Sequence, residues 1–306
     1  MSNLFSALLF YGFILPLSWM PFPMLYAISD GLFVLLYFVF PYRKKIVWRN
    51  LKNSFPEKSD AELKTIERKF YRHFCVLILE TVKLFSASPK SILNRVKIRN
   101  PELLNEYYVQ KKSVILVTGH YANWEWPAVT LPYHSKHTGT GIYKQLSNKF
   151  FDKKLRQTRA RFGMRLMSTK EVTDFFESHR DECCTYGFIN DQSPRDPKRG
   201  YWTMFLNQPT CLLKGAENYA VKYHYPVVYG AITRKSRGRY DIEYIPIADE
   251  PASTPENYIT EECSKVNESL IKADPAYWLW THKRWKHKPP AEFIPQDALS
   301  KTQTSA

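Results

Sequence analysis

The stretch "SVILVTGHYANWEW" (residues 113–126) runs from an apolar segment into a turn that is rich in functional side chains. Its first half is a short continuous apolar run, which is typical of a strand buried on both faces of a sheet. Its second half places His120 and Glu125 beside an asparagine and two tryptophans. Because a structural turn rarely needs an imidazole and a carboxylate together, this stretch predicts a buried strand that ends in a reactive site.

The pattern around this strand predicts an α/β fold. Short apolar or β-branched runs recur near 95–98, 138–143, 183–190, 226–232 and 239–246. Helical patterns fall between several of them, at 101–110, 122–132, 147–162, 170–180 and 212–224. This alternation favours a central, mixed or mainly parallel sheet that is flanked by helices.

Further helices are predicted on both sides of this alternating region. A long amphipathic helix at 59–85 begins with a capping box made by Ser59 and Glu62. Two closing helices are predicted at 255–273 and 275–286. We treat residues 42–290 as one domain and residues 291–306 as a polar, flexible tail.

The first 41 residues are expected to anchor the chain to a membrane. They contain no lysine or arginine and one acid, Asp30. Two apolar blocks, 4–20 and 24–40, are separated by "PFP". A spanning helix needs about 20 apolar residues, so one span and a re-entrant pair of helices both remain open. The segment lacks the basic start and the small-residue cleavage site of a signal peptide.

The charges that follow the apolar blocks predict the orientation and the partners. Arg43, Lys44, Lys45 and Arg49 come directly after the second block, so residues after 42 are expected on the cytoplasmic side. The formal net charge is +15, from 44 Lys+Arg against 29 Asp+Glu, which implies an anionic partner. An anionic membrane surface is the simplest one, and the absence of zinc-finger, helix-turn-helix and RNP signatures disfavours nucleic acid.

The spacing of His120 and Glu125 predicts acid–base chemistry. Five residues is wrong for one face of a helix, but it fits a strand end followed by a first helical turn. There we expect Glu125 to hydrogen-bond one imidazole nitrogen, which leaves the other as a general base. With no serine beside them, the nucleophile would be a hydroxyl of the substrate. Asn123 is expected to hold a polar or anionic group. On spacing alone, a capping role for His120 stays open.

Other site types are disfavoured. His134 and His137 form no zincin pattern with His120 and Glu125, and none of the five cysteines forms a C-x-x-C pair, so no metal site is expected. The motifs G-x-S-x-G, G-x-G-x-x-G and the P-loop are absent. This disfavours a serine lipase, a dinucleotide enzyme and a nucleotide hydrolase.

Five blocks, in order, give the chain a family resemblance that covers nearly its whole length. They are "WRNLKNSFPEKSDAEL" (48–63), "GHYANWEW" (119–126), "IYKQLSNKFFDKKLRQTRARFG" (142–163), "FINDQSPRD" (188–196) and "DPAYWLWTHKRWKHKPP" (274–290). Together they resemble the lysophospholipid acyltransferase superfamily, in the branch of the late acyltransferases of lipid A biosynthesis. Five blocks in one order are far more specific than any single block.

The resemblance implies a reaction at the cytoplasmic face of a bacterial inner membrane. An acyl chain would move from an acyl-carrier-protein thioester to a hydroxyl of a membrane glycolipid, such as a lipid A precursor, without a metal or a bound cofactor. His120 would be the base and Glu125 would orient it. Arg159 would stabilise the oxyanion, and Asp191 would position the arginine or the acceptor head group.

The resemblance also implies substrate-binding residues, and it leaves the acceptor open. The implied substrate-binding residues are Asn123, Tyr143, Lys144, Asn148, Arg161 and Gln192. The insert "YANW" and the Ser193-Pro194 pair depart from the lipid A enzymes, and the "GHYANWE" form is closer to relatives that acylate other glycolipids. Another glycolipid, an aminolipid or a lysophospholipid therefore remains an alternative acceptor, with acyl-CoA as the alternative donor. A non-catalytic protein that binds anionic lipids is the alternative of another class.

Overall fold

A computed structural model describes residues 3–293, so most of the predicted tail lies outside the described residues. The α-helices are α1 Asn3–Leu9, α2 Leu15–Trp19, α3 Phe22–Val34, α4 Lys44–Ser54, α5 Asp60–Lys83, α6 Pro89–Leu93, α7 Glu102–Val109, α8 Glu125–Thr130, α9 Lys149–Arg161, α10 Val172–Ser178, α11 Gly215–Tyr223 and α12 Tyr258–Ala273. The strands are β1 Val96–Ile98, β2 Val114–Thr118, β3 Thr138–Tyr143, β4 Arg165–Ser168, β5 Cys184–Ile189, β6 Gly200–Phe205, β7 Gln208–Leu213, β8 Val227–Ser236 and β9 Arg239–Ala248.

Seven strands form one sheet in the order β1-β9-β8-β2-β5-β3-β4. All neighbouring pairs are parallel except the β8–β9 hairpin. Strand β2 lies in the middle, and its alternate residues enter two separate cores: Val114 packs in one, and Ile115 and Val117 pack in the other. Burial on both faces explains why this strand is apolar throughout. The predicted α/β fold with a mixed, mostly parallel sheet is confirmed.

Two parts of the predicted secondary structure are corrected. The strands β4, β6 and β7 were not predicted; β6 and β7 form a separate hairpin whose turn residues Leu206 and Asn207 both have positive φ. The helix predicted at 275–286 is wrong, because only Pro275–Tyr277 forms a 3-10 turn. The next residue, Trp278, instead forms a bridge with Tyr121, so this backbone is used to hold another segment.

The two apolar blocks form two helical arms that meet at a bend near Met20, and this bent pair (residues 3–39) is called the hairpin; α1 of the first arm packs against α9, and α2 and α3 pack against α5. A π-helical turn, Phe10–Ile14, joins α1 to α2, and another, Leu35–Val39, extends α3. The segment Phe22–Val39 is long and apolar enough to cross a membrane, whereas Asn3–Trp19 is shorter. The division between an anchor at 1–41 and a catalytic domain at 42–290 stays a prediction.

Helix α5 lies between the hairpin and the rest of the domain. It begins with the predicted capping box, in which Ser59 accepts from the Glu62 amide and the Glu62 carboxylate accepts from the Ser59 amide. On its hairpin side it packs against α3, whose buried residues are Phe22, Leu25, Ser29 and Phe33. The spacing of these four residues marks one helical face, so one side of α3 is committed to the domain.

Candidate active site

The parallel register of β2 and β5 brings His120 and Asp191 together. Thr118 is paired with Ile189, and His120 and Asp191 each lie two residues beyond these partners, at the carboxyl edge of the sheet. Nδ1 of His120 lies 2.6 Å from Oδ1 of Asp191, and the backbone N–H of His120 donates to Oδ2 at 2.8 Å. The carboxylate that orients the imidazole is therefore Asp191.

The surroundings of Asp191 keep it ionised. Its side chain is buried, and Trp278 donates its indole N–H to Oδ2 at 2.7 Å. Burial alone would raise the pKa of Asp191, but the charge of His120 and the hydrogen bonds from His120 and Trp278 outweigh burial and lower the pKa to about 2. A carboxylate that stays ionised holds a proton on Nδ1 of His120, which makes Nε2 the basic nitrogen.

Nε2 of His120 faces two side chains at the active site. The side-chain amide nitrogen of Gln192 lies 3.0 Å from it, and the ring of Trp124 packs edge-on against the imidazole at 4.8 Å between centroids. The Gln192 amide occupies a donor position that a substrate hydroxyl would also need. Since His120 is 16% exposed, its basic nitrogen is sheltered but reachable.

Glu125 does not bond to His120 in this structure, which corrects the expected pairing. Its carboxylate accepts from Nη2 of Arg159 at 2.8 and 3.0 Å and from Nε at 3.2 Å. Of the two roles expected for Asp191, the contact with an arginine is replaced by the contact with His120. The reason is geometric: strand register delivers Asp191 to Nδ1, whereas Glu125 begins α8 and meets the guanidinium near the end of α9.

A cavity of about 540 Å³ opens beside these side chains, which is within the usual range for ligand pockets. The predicted residues that line it are His120, Glu125, Tyr143, Lys144, Arg159 and Gln192. Most of the remaining wall is apolar, with Leu116, Val129, Leu131, Ile142, Leu155, Met164, Leu166, Val172, Phe188, Ile232 and Ile242 among the lining residues. Polar groups thus meet at one part of a space suited to a hydrocarbon chain.

Three glycines on strands of the central sheet widen this cavity. Gly141 on β3 is paired with Gly187 on β5, and Gly230 lies on β8; all three line the cavity. A Cβ added to Gly187 would lie 3.6 Å from its nearest neighbour, and one added to Gly230 would lie 3.5 Å from Leu116. Because these are ordinary contact distances, the missing side chains leave usable space in the cavity.

Asn123 has a structural position rather than one that faces a ligand. It is 1% exposed, and its Oδ1 accepts from the backbone N–H groups of Glu125 and Trp126 at 3.1 and 3.0 Å. Its amide nitrogen donates to Glu80 at 2.7 Å. Asn123 therefore caps the helix that carries Glu125, as asparagine commonly does, and the expectation that it binds substrate is corrected.

Asn148 and Arg161 are also committed to the protein. Asn148 caps α9 by accepting from the Phe150 and Phe151 amides, and it donates to Ser6 of α1 at 2.9 Å. Arg161 donates to three backbone carbonyls just after α5, those of Leu84, Phe85 and Ala87. Arg159 lines the cavity and Arg161 does not, because two residues along a helix project to different sides.

The segment around Trp278 holds the His120 turn and was not assigned this role from the sequence. Leu279 donates its N–H to the His120 carbonyl at 3.1 Å, and the Ala122 N–H donates to the Tyr277 carbonyl at 2.9 Å. Ala122 has φ of 53°, an uncommon value for a residue with a Cβ. The aromatic block "DPAYWLW" was visible in the sequence, but its position against the turn was not.

Glu80 is a second residue that sequence reasoning missed. It is 1% exposed on α5, and it accepts hydrogen bonds from Asn123 and Tyr240, each at 2.7 Å, and from Tyr26 at 3.1 Å. Burial raises the pKa of Glu80 to about 7, although these hydrogen bonds act to lower it. Glu80 thus fixes the side chain of Asn123, which in turn caps the start of α8.

Of the two further histidines that were considered for a metal site, His137 bonds to neighbouring protein groups through both ring nitrogens. His137 contacts Ser135 at 2.9 Å through Nδ1 and the Lys112 carbonyl at 2.9 Å through Nε2. Within residues 3–293, no three His, Cys, Asp or Glu side chains are grouped in a way that could hold a metal ion.

Comparisons with known proteins place this geometry in context. A family model described as "Bacterial lipid A biosynthesis acyltransferase" matches residues 2–287. The lipid A biosynthesis lauroyltransferase of Escherichia coli (strain K12) is 23% identical over 272 residues, which cover 88% of this chain and 88% of that protein. The lipid A biosynthesis acyltransferase of Haemophilus influenzae (strain ATCC 51907 / DSM 11121 / KW20 / Rd) is 24% identical over 254 residues. These cover 81% of this chain and 78% of that protein.

Proposed function

Since this chain belongs to the bacterial lipid A biosynthesis acyltransferase family, we propose that it moves a fatty acyl chain from an acyl-carrier-protein thioester to a hydroxyl of a lipid A precursor. The names of both relatives support an acceptor of this class. One observation carries the chemistry: His120 lines an apolar cavity while its Nδ1 is held by a buried, ionised Asp191.

The reaction follows from the basic nitrogen of His120. Nε2 takes the proton of the acceptor hydroxyl as the oxygen attacks the carbonyl carbon of the thioester. The tetrahedral oxyanion then collapses, and the carbon–sulfur bond breaks. The imidazolium of His120 gives its proton to the departing thiolate, so the products are an ester and a free thiol. Asp191 stays ionised throughout and stabilises the imidazolium.

Arg159 and Glu125 form the electrostatic part of the site. Glu125 uses Nε and Nη2 of the guanidinium, and Nη1 makes no hydrogen bond within the described part of the chain. We assign Nη1 to the oxyanion, because a fixed cationic donor is most valuable where negative charge develops. Glu125 would then be a positioning residue that holds the guanidinium in place.

The donor occupies the apolar cavity in this proposal. Its thioester carries its own activation, so neither a metal nor a bound organic cofactor is required. The excess of 15 positive charges suits an acidic carrier protein and an anionic leaflet, where the active site would face the cytoplasm. Tyr143 and Lys144, which line the cavity, are assigned to the polar part of the substrates.

The test compares membranes that contain the wild-type protein, His120→Ala or Glu125→Ala. Each receives labelled acyl-carrier-protein and a bacterial lipid extract, and the acylated product is identified by mass spectrometry. We expect a new acyl ester with the wild type and at least a ~100-fold loss with His120→Ala. His224→Asn is the matched control, because His224 is exposed and precedes β8, at the amino end of the parallel strands.

Other outcomes would identify other functions. Release of label only as free fatty acid would indicate a thioesterase, and transfer only from acyl-CoA to a lysophospholipid would change both donor and acceptor. Equal product from all variants would remove His120 from the chemistry. No product from any of them, with lipid binding intact, would favour a non-catalytic protein that binds anionic lipids.

A further inference from the structure

We propose that the N-terminal hairpin, residues 3–39, lies flat in the cytoplasmic leaflet of the bilayer instead of crossing it. This inference rests on the membrane location in the proposed function, and it depends on no step of the chemistry. Length and composition permit Phe22–Val39 to span a membrane. The charged groups that this helix contacts are the reason for the flat placement.

Charged side chains of the domain contact the hairpin at its bend. The Lys83 ammonium donates to the carbonyls of Ser18 and Met20 at 2.8 and 2.9 Å. The Arg95 guanidinium lies 3.5 Å from the ring centroid of Phe22. A plunging hairpin is one that enters the bilayer bend first and returns to the same side. In that arrangement the bend would be the deepest point, and Lys83 and Arg95 would have to enter the hydrocarbon with it.

Charged groups also contact the middle of α3. Asp30 forms a two-point ion pair with Arg237 of the β8–β9 hairpin, at 2.7 and 3.0 Å. Tyr26, one turn earlier, donates to the buried Glu80. In a spanning helix these residues would lie near the bilayer centre, where charged groups are costly.

The far end of the segment Phe22–Val39 is also in contact with charged groups. Tyr37 donates to Glu67 at 3.2 Å, and the Lys44 ammonium lies 3.7 Å from the Tyr37 ring centroid. Phe22–Val39 is therefore in contact with charged groups of the domain near both ends and at its middle. Eighteen helical residues extend about 27 Å, nearly the thickness of the hydrocarbon core, so a span would carry the domain's charges through the bilayer.

Both arms of the hairpin also carry exposed apolar side chains. Met24, Ile28 and Phe38 on one arm and Leu8, Phe13 and Trp19 on the other are exposed. The hairpin contains no lysine or arginine, and its single acid is turned into the ion pair with Arg237. An uncharged apolar face, followed at once by a basic cluster at 43–45, suits a lipid surface with anionic head groups.

The flat hairpin also fixes one wall of the active site at the lipid surface. The ring of Phe10 packs against Phe150 of α9, and Tyr11 accepts a hydrogen bond from Lys154 at 2.7 Å. Helix α9 carries Arg159, which lines the cavity. A lipid acceptor could then approach the site by lateral diffusion, without leaving the leaflet.

The test measures depth at three positions spaced one heptad apart on the same face of the helix. Met24→Cys, Gly31→Cys and Phe38→Cys are made singly in the full chain, since all three residues are exposed and an added Cβ at Gly31 has no neighbour within 4 Å. Each variant carries a nitroxide label in vesicles of phosphatidylethanolamine and phosphatidylglycerol. Relative access to oxygen and to a soluble nickel chelate gives the depth. The unsubstituted protein measures background labelling at half-buried Cys183.

A flat hairpin predicts nearly equal, shallow depths at all three positions. A spanning helix would place residue 31 about 10 Å deeper than the other two, and a plunging hairpin would give depths that fall steadily from 24 to 38. Either profile overturns the proposal. Labels shielded from both oxygen and nickel would mean that a second copy of the chain covers this face, which also overturns it. Since no donor or acceptor is present, failure of acyl transfer would not alter the result.

Discussion

Nδ1 of His120 lies 2.6 Å from Oδ1 of Asp191 although 71 residues separate them. The cause is the register of the parallel strands β2 and β5, in which Thr118 pairs with Ile189. His120 and Asp191 each follow two residues after this pair. Glu125, only five residues from His120, pairs with Arg159 instead. The site therefore consists of two carboxylates with separate partners, one for the base and one for the guanidinium.

Asp191→Asn should reduce kcat by at least about 100-fold. An amide in this position can donate to Nδ1, which would leave the proton on Nε2 and remove the base. Steady-state acyl transfer measures the effect. The matched control is Asp196→Asn, because exposed Asp196 contacts only its own turn, through the Lys198 amide and the exposed Arg199, and its loss should change kcat less than two-fold. An active Asp191→Asn protein would contradict the assignment of Asp191.

Arg159→Gln and Arg161→Gln should separate catalysis from stability on one helix. The first removes the proposed oxyanion donor, so kcat should fall by roughly 10²–10³. The second leaves three carbonyls without their donor and should lower the free energy of unfolding by about 1–3 kcal/mol, with kcat nearly unchanged. Kinetics and thermal unfolding of both variants provide the check, and the reverse pattern would exchange the two roles.

Gly187→Ala and Gly187→Leu should shorten the acyl chain that the enzyme accepts. The added side chain has room at its Cβ, so it fills cavity space instead of displacing the strand. Competition among donors of graded chain length should show a stepwise shift to shorter chains, larger for Leu than for Ala. Retained activity with the shortest donor is the internal control for folding. Uniform loss with every donor would argue against an acyl chain beside Gly187.

Glu80→Gln should remove a pH dependence of stability. Burial raises the pKa of Glu80 from 4.5 to about 7 in the folded protein. As pH rises from 4.5 to 7, the unfolded chain therefore loses this proton before the folded chain does, and the free energy of unfolding falls by about 3 kcal/mol. Denaturant unfolding in detergent at a series of pH values should show this slope only in the wild type. Equal slopes would show that Glu80 has no raised pKa.

The fold was predictable because its signals are local. The apolar run of β2, the capping box of α5 and the alternation of strands with helices can all be read within short windows, and the structure confirms them. The residues of β4 and of the β6–β7 hairpin carried no such signal, and these strands were not predicted. The helix expected at 275–286 failed because the Tyr277 carbonyl and the Leu279 N–H bond to the His120 turn and not to a helical neighbour.

By itself, the sequence determined the strand–helix alternation, the family resemblance and the residue types of the site, including His120, Glu125, Arg159 and Asp191. Only the tertiary structure decided which carboxylate meets which base, since a pairing between distant segments depends on strand register and helix rotation. It also moved Asn123, Asn148 and Arg161 from the predicted substrate site into helix caps and backbone contacts. Local propensity and composition act over a few residues, whereas hydrogen bonds between segments depend on how the whole sheet is assembled.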